Sequence, residues 1–501
     1  MESPDDRGQA GYPERDLTGF REHAISGVKW TGASTAFGMA LQFMQMAVLA
    51  RFLAADAFGL FGEAMIVVGV ALAFVDFGLS PALVQREEVS DETITSLFWL
   101  ASGLSAICGF LVWVSANWLA RFFGAELLAD LIPIAALFVV LFGAGQVPLA
   151  VLQKHLAFDK LSKVDVVSAL MGVATAILCA TLGYDAHAPL YGLTVSGGVR
   201  LVGLLIASFK IWRPGFHFQA HEVRSFVSFG AYQTGERLVN YLAANLDFVI
   251  IGKFLGTSVL GSYYIAYQIV VQPMVRLSPV LTRVAFPLFS KVQREDVAIR
   301  SGYVRIVKLV GFVTIPMLVG MAVVAPSFLA VYLGETWKSL DTTNVVRIVQ
   351  ILVPVSLLKC LSNPLGSAFL AKGRPDVGFI LNGARLILNA VLFWTAISWG
   401  VTGVAWAYVM SSVLAFWAGY FVLNRILEIG LSTILRAITP TVFSATSMGI
   451  LVALAQLGLS GIQVDPLHRL LFLISLGGTI YFVVIFRVER PLLMDISRWF
   501  S

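Results

Sequence analysis

Residues 50–61 read ARFLAADAFGLF, and residues 252–263 read GKFLGTSVLGSY. Both carry a basic residue, then Phe-Leu, then a glycine seven residues after the Phe, at a constant offset of 202 (Arg51/Lys253, Phe52/Phe254, Leu53/Leu255, Gly59/Gly261). Each stretch comes after an apolar run of the length a bilayer requires, about 20 residues. A second echo pairs Val147-Pro148-Leu149, ahead of Leu152-Gln153-Lys154, with Asn363-Pro364-Leu365, ahead of Leu370-Ala371-Lys372. The first echo relates membrane span one to span seven, and the second relates span four to span ten. Each repeat therefore holds six helices. Six is even, so both halves enter the membrane in the same sense, which is the parallel-repeat plan of some secondary transporters.

Composition agrees. Of 501 residues, 58% are apolar, 12% aromatic and only 13% charged, with a mean hydropathy of +0.82. Soluble proteins are roughly 45–50% apolar and about 25% charged. Soluble domains, disorder, a coiled coil and a secreted disulfide scaffold are all excluded. Cys108, Cys179 and Cys360 lie in apolar runs without a CxxC or Cys/His cluster, so no metal site or disulfide framework is expected. Residues 1–25 are polar and lack an apolar core, so no cleavable signal peptide is read there. A Walker-A loop is missing, so ATP is not expected to drive this chain, and no cofactor is expected.

Hydropathy predicts fourteen spans, near 28–50, 59–84, 95–119, 128–152, 164–183, 188–211, 225–251, 260–288, 303–326, 343–371, 376–399, 402–424, 436–458 and 467–487. With the N-terminus in the cytosol, about 22 of the 35 Lys and Arg residues fall on the inner side and about six on the outer. This positive-inside bias sets both termini inside, and it accounts for the net charge of +5 without a nucleic-acid partner. The expected organisation is a cytosolic tail (1–27), an N-lobe (28–211), a cytosolic linker (212–224), a C-lobe (225–424) and two C-terminal helices with a short tail (425–501). Pro273, Pro279 and Pro287 in span eight, and Pro354 and Pro364 in span ten, are expected to bend or break their helices.

The repeat also predicts a site. On span seven, Gln233, Glu236, Arg237, Asn240, Ala244 and Asp247 share one helical face. Subtracting 202 gives Thr31, Ser34, Thr35, Gly38, Gln42 and Gln45, a second polar stripe on span one. Polar stripes facing lipid are costly, so both are expected to face a wet cavity between the lobes. The intramembrane cations Arg200, Arg237, Arg276, Arg283, Lys359 and Arg385 outnumber the anions Glu63, Asp76, Glu236 and Asp247. A cationic cavity suits an anionic substrate, and the planar fork of Arg suits phosphate. Substrate binding is therefore assigned to Arg237, Arg276, Arg283, Arg385, Lys359, Arg200, Gln233, Asn240, Gln42 and Gln45. Arg283 and Arg385 also fit a snorkelling role at the interface. The four carboxylates fit either ion coupling or structural pairing.

The first half also resembles a known family. Val48-Leu49-Ala50-Arg51-Phe52-Leu53 with Phe58-Gly59, Asp76-Phe77-Gly78-Leu79 with Ala82-Leu83-Val84-Gln85-Arg86, and Ser96-Leu97-Phe98-Trp99 are similar to the polysaccharide transporter branch of the multidrug/oligosaccharidyl-lipid/polysaccharide (MOP) exporter superfamily, the Wzx-like flippases. Leu152-Gln153-Lys154, Asp247-Phe248, Gly261-Ser262-Tyr263-Tyr264-Ile265-Ala266-Tyr267 and Phe286-Pro287-Leu288-Phe289-Ser290 extend the resemblance over residues 26–375. It implies an all-α polytopic protein of two six-helix bundles around a central cavity open alternately to each side, in the bacterial inner membrane. It implies flipping of a polyprenyl-diphosphate-linked oligosaccharide, with membrane lipids and polysaccharide polymerase and co-polymerase proteins as partners. Spans thirteen and fourteen would match the two additional helices of lipid II flippases, where they help shape a groove for the lipid tail. Two other readings compete. A multidrug-type antiporter of the same superfamily would favour an apolar or acidic cavity. A membrane glycan polymerase or ligase would display a long outer loop, and here the longest is about 327–342. A non-enzymatic transporter is the expected outcome.

Overall fold

The structure is a computed structural model that describes residues 17–489, except 76–77, 79–81, 85, 87–88, 283–295, 335–336, 338–341 and 373. Regular structure among the described residues is helical throughout, without strands. The first half contains α1 (Leu17–Phe52), α2 (Ala55–Val75), α3 (Asp91–Val114), α4 (Ala116–Phe123), α5 (Leu128–Ala144), α6 (Gln146–Lys154), α7 (Phe158–Thr181) and α8 (His187–Ser208). The second half contains α9 (Ala220–Leu255), α10 (Thr257–Thr282), α11 (Asp296–Tyr332), α12 (Thr342–Ala371), α13 (Pro375–Ala396) and α14 (Gly400–Leu427). Two more helices complete the chain, α15 (Leu431–Gly458) and α16 (Pro466–Val488).

Twelve stretches among the described residues are helical, long and apolar enough to cross a membrane. One of them, 376–427, is divided into α13 and α14 by the tight turn Ile397–Trp399 and by Gly400 at φ 70°. α10 is equally long but falls outside the twelve, as it carries Gln268, Gln272 and Arg276. In a bilayer only a helix or a closed barrel satisfies its own backbone, which is why apolar runs of this length become helices.

The neighbour order within each half repeats. α1 packs on α7, α7 on α8, α8 on α5, and α5 on both α2 and α3. In the second half α9 packs on α13, α13 on α14, α14 on α12, and α12 on both α10 and α11. These are the same contacts once the halves are aligned, so the parallel repeat is a repeat of structure. α15 and α16 lie outside it, packed on each other and on α11.

The halves meet where α2 runs along α10 and α9. The two repeated glycines face each other's helix at this seam. A Cβ on Gly59 would lie 2.7 Å from the carbonyl carbon of Thr257, and one on Gly261 would lie 2.7 Å from that of Ala55. Thr257 stands 202 positions after Ala55, so the contact is two-fold symmetric in sequence as well as in space. Tyr241 of α9 reinforces it by donating to the carbonyl of Met65 (3.0 Å).

Several expected boundaries shift. The third span ends at Val114, and α4 comes next as a separate amphipathic helix that buries Leu119, Ala120 and Phe123 and ends at left-handed Gly124. Polar Asn117 and Arg121 on its other face suit a membrane surface rather than its interior. α11 continues to Tyr332 because Phe328 and Tyr332 pack against Phe43 of α1, so the expected outer loop at 327–342 begins only after Tyr332. Pro354 and Pro364 sit within an unbroken α12, and α10 passes through Pro273 without interruption. Neighbouring membrane helices re-satisfy the carbonyls that proline frees, so breakage does not result. The linker is shorter than expected, with α9 starting at Ala220. It is docked: Trp212 donates to Thr95 Oγ1 (3.1 Å), Ser96 Oγ accepts from Gln219 N (3.1 Å), and Trp99 donates to the Gly215 carbonyl (2.8 Å).

Candidate substrate cavity

A cavity of about 510 Å³ lies between α1, α7 and α8 on one side and α2 and α10 on the other. Ser34, Thr35, Gly38, Gln42 and Gln45 of α1 line it. Their spacing puts them on one face of the helix, and packing of α1 on α7 turns that face inward. Asp165, Ser196, Tyr264, Gln268, Gln272 and Arg276 complete the wall. Gln268, Gln272 and Arg276 recur every fourth residue on α10, so the second half contributes its own polar stripe. Arg276 Nη1 donates to Gln42 Oε1 across the cavity, and Gln268 donates to Tyr264 OH (2.6 Å).

A second cavity of about 380 Å³ adjoins the first and shares Met39, Gln42, Met46, Gln268, Gln272 and Arg276 with it. The rest of its wall is apolar: Phe43 and Ala40 of α1, Ile269, Met274 and Leu277 of α10, Met317, Met321 and Tyr332 of α11. Methionine adapts its shape to irregular partners. Arg276 and Gln42 thus stand on the border between a polar and an apolar chamber. A third cavity, about 350 Å³, lies among α5, α6 and α8 and is lined by Arg200. Arg200 Nε donates to Asp165 Oδ1 (2.9 Å), which joins this space to the wall of the first.

The other expected site residues are distributed differently. Glu63 is fully buried at the seam of α2 and α10, where its Oε1 accepts from Thr257 Oγ1 (3.1 Å). Asp247, 1% exposed, lies inside the second half, where Tyr263 donates to it (2.7 Å). The α9 stripe was expected to face water along its length, but α10, α13 and α14 enclose the Asp247 end. Lys359 donates to Tyr267 OH (3.1 Å) and lies over the rings of Tyr267 (5.3 Å) and Tyr408 (5.0 Å). Such cation–π contacts strengthen when desolvated. Asn389 donates to the Ala243 carbonyl (2.6 Å) and accepts from Ser411. Two guanidinium nitrogens of Arg385, Nε and Nη2, are buried without a partner among the described residues. Glu236, Arg237 and Asn240 are half-buried further along α9. Asp76, Arg283 and the side chain of Gln233 lie outside the described residues.

Sequence reasoning gave no site role to the tyrosines that hold Asp247 and Lys359: Tyr263 and Tyr267 counted only toward the family resemblance, and Tyr408 was not singled out. It also overlooked Asp165, and Gln268 and Gln272, although their four-residue spacing with Arg276 was legible.

Every wall of these cavities is helical, and the polar chamber is built across the two halves. Residues 48–341 match the model of the family described as "Polysaccharide biosynthesis protein". The chain belongs to this family. The Bacillus subtilis teichuronic acid biosynthesis protein TuaB is 33% identical over 463 residues, 91% of this chain and 94% of that protein. The Escherichia coli lipopolysaccharide biosynthesis protein WzxC is 31% identical over 407 residues, 81% of this chain and 82% of that one. A solved structure titled "Lipid II flippase MurJ, inward closed conformation" superposes with a TM-score of 0.77 at 15% identity, covering 92% of this chain and 99% of that one. The fold is that of the MOP superfamily, an all-α polytopic membrane protein.

Proposed function

We propose that the protein flips a polyprenyl-diphosphate-linked oligosaccharide, a repeat unit of a cell-surface polysaccharide, across the bacterial inner membrane by alternating access. The observation that carries this reading is the place of Arg276 between two adjoining chambers of opposite character. A lipid-linked saccharide has three parts in the same order: a hydroxyl-rich glycan, a diphosphate and an isoprenoid tail. The chamber lined by Ser34, Gln42, Gln45, Gln268 and Gln272 suits hydroxyl groups. The guanidinium of Arg276 suits the diphosphate, with charge-assisted, bidentate hydrogen bonds. The methionine-lined chamber suits the tail. Arg237, Arg385, Lys359, Arg200 and Asn240, with Gln233 and Arg283, supply further cations and polar groups for cavity walls in other states. The relatives' names place them in polysaccharide biosynthesis, and none of the chemistry above requires a catalytic group.

Fourteen spans with both termini in the cytosol complete the topology: the twelve apolar stretches, with 376–427 counted as two, together with α10. In this reading the lobes are 28–211 and 225–424.

The test is export of polymer in a strain lacking the chromosomal copy. Loss of a charged hydrogen bond costs about 1.5–3 kcal/mol, a factor of roughly 10–150 in binding. Arg276→Ala is expected to abolish surface polymer while membrane insertion persists, and Arg276→Lys to retain part of it, because Lys keeps the charge and loses the fork. Normal surface polymer from Arg276→Ala would sink the assignment of the diphosphate to this residue.

A further inference from the structure

The repeated basic residues that head the two ARFL/GKFL motifs are absorbed neither by the cavity nor by the fold. Arg51 ends α1 and Lys253 lies in the last turn of α9, 202 positions apart. Each crosses to the other half. Arg51 Nη2 donates to the carbonyl of Val331 (3.5 Å), near the end of α11. Lys253 Nζ donates to the carbonyl of Phe122 in α4 and lies 4.9 Å from its ring centroid. Phe122 lies in α4, the helix after α3, and Val331 lies in the last turn of α11, so each cation reaches a main-chain carbonyl of the opposite half.

Further contacts beside Arg51 also cross between the halves. Gly334 N donates to the Ala50 carbonyl (3.2 Å), and Trp337 Nε1 donates to the Leu53 carbonyl (3.0 Å). All lie at the end of the molecule where α1 meets α2 and α9 meets α10, beside the Gly59/Gly261 contact. Positive-inside orientation puts that end outside.

Two features separate these bonds from ordinary packing. They are made to neutral carbonyls, and neither Arg51 nor Lys253 pairs with a carboxylate among the described residues. They also join halves that must separate at this end if the cavity is to open there. We propose that Arg51 and Lys253 are a matched pair of positioning residues for transport: two interlobe latches that hold the outer end shut. The repeat supplies both from one motif, so each half locks the other. Their role in a cycle rests on the transport reading, but the latches themselves do not.

Double electron–electron resonance on the full-length protein in nanodiscs tests this without substrate. Spin labels are attached at Thr181→Cys and Ser398→Cys, at the outer ends of the first and second halves, in a background lacking Cys108, Cys179 and Cys360. The unsubstituted latches are expected to give a single short-distance population. Arg51→Gln and Lys253→Gln should each raise the ratio of long to short distances by roughly two- to tenfold, the worth of a net hydrogen bond, and the double variant by more than either. Arg51→Lys and Lys253→Arg should restore the short distance, which a merely structural loss would not. Arg51 is exposed, so its Gln variant provides a test even if Lys253→Gln fails to fold. A distance distribution unchanged in Arg51→Gln would overturn the proposal, whether or not the double variant folds. Because no substrate is added, that result would leave the flippase reading standing, whereas normal export by Arg276→Ala would leave the latches standing.

Discussion

Adding one methyl group at the seam should push the two halves apart. In Gly261→Ala the new Cβ would overlap the Ala55 carbonyl oxygen and meet its carbon at 2.7 Å and Gly59 N at 2.9 Å. Carbon atoms rest at about 3.5–4.0 Å, and the carbonyl oxygen lies closer still, so α2 and α10 must separate locally by at least about 1 Å. The obstacle is backbone on a neighbouring helix, which cannot rotate away as a side chain can. Overpacking of this kind costs about 1–3 kcal/mol. That cost falls on the state in which the outer end is closed, and an open outer end is relieved of it. The equilibrium should therefore move toward opening by a factor of roughly 5–150. Gly59→Ala should do the same, because its Cβ meets Thr257 in the equivalent way. The assay is modification of a cysteine on the cavity wall, Gln45→Cys, by a membrane-impermeant maleimide added from the outer side. Labelling should rise in both glycine variants and remain low with native glycines. Equal labelling in all three proteins, each folded and inserted, would refute the account of the seam.

Lys359→Met should destabilise the protein by about 1.5–3 kcal/mol, since it removes the charged hydrogen bond to Tyr267 and the cation from between two rings, read as thermal unfolding in detergent; an unchanged melting temperature would contradict this role. Asn389→Leu should cost about 1–3 kcal/mol by removing the partner of the buried Ser411 hydroxyl and the bond to the Ala243 carbonyl, measured the same way; a melting temperature equal to that of the native protein would contradict the polar network. Arg200→Ala should impair export more than Arg200→Ala with Asp165→Ala, because the single change leaves Asp165 uncompensated on the cavity wall; identical export defects would show that the ion pair has no role in the wall.

The legibility of the site differs from one residue to the next, for a physical reason. The α1 stripe of Ser34, Thr35, Gly38, Gln42 and Gln45 was legible because helical periodicity alone puts these residues on one face, and they line the cavity together. The α9 stripe obeys the same periodicity, yet Asp247 is enclosed among tyrosines. Periodicity says which residues share a face, but not whether that face meets water or a neighbouring helix. Asp165 was missed for the converse reason: it gains its place only from Arg200, 35 positions away.

Apolar length and a constant offset are one-dimensional properties. The membrane class, the all-helical fold and the six-helix repeat were for that reason readable from the amino-acid order. The same order held the pairs Arg51/Lys253 and Gly59/Gly261, but only as marks of duplication. Packing in three dimensions settled what those marks do. When two parallel halves meet about a pseudo-two-fold axis, equivalent positions near that axis face each other's half. A basic residue and a glycine repeated 202 positions apart thereby become two latches and a close backbone seam, and no reading of either half alone could have shown that contact.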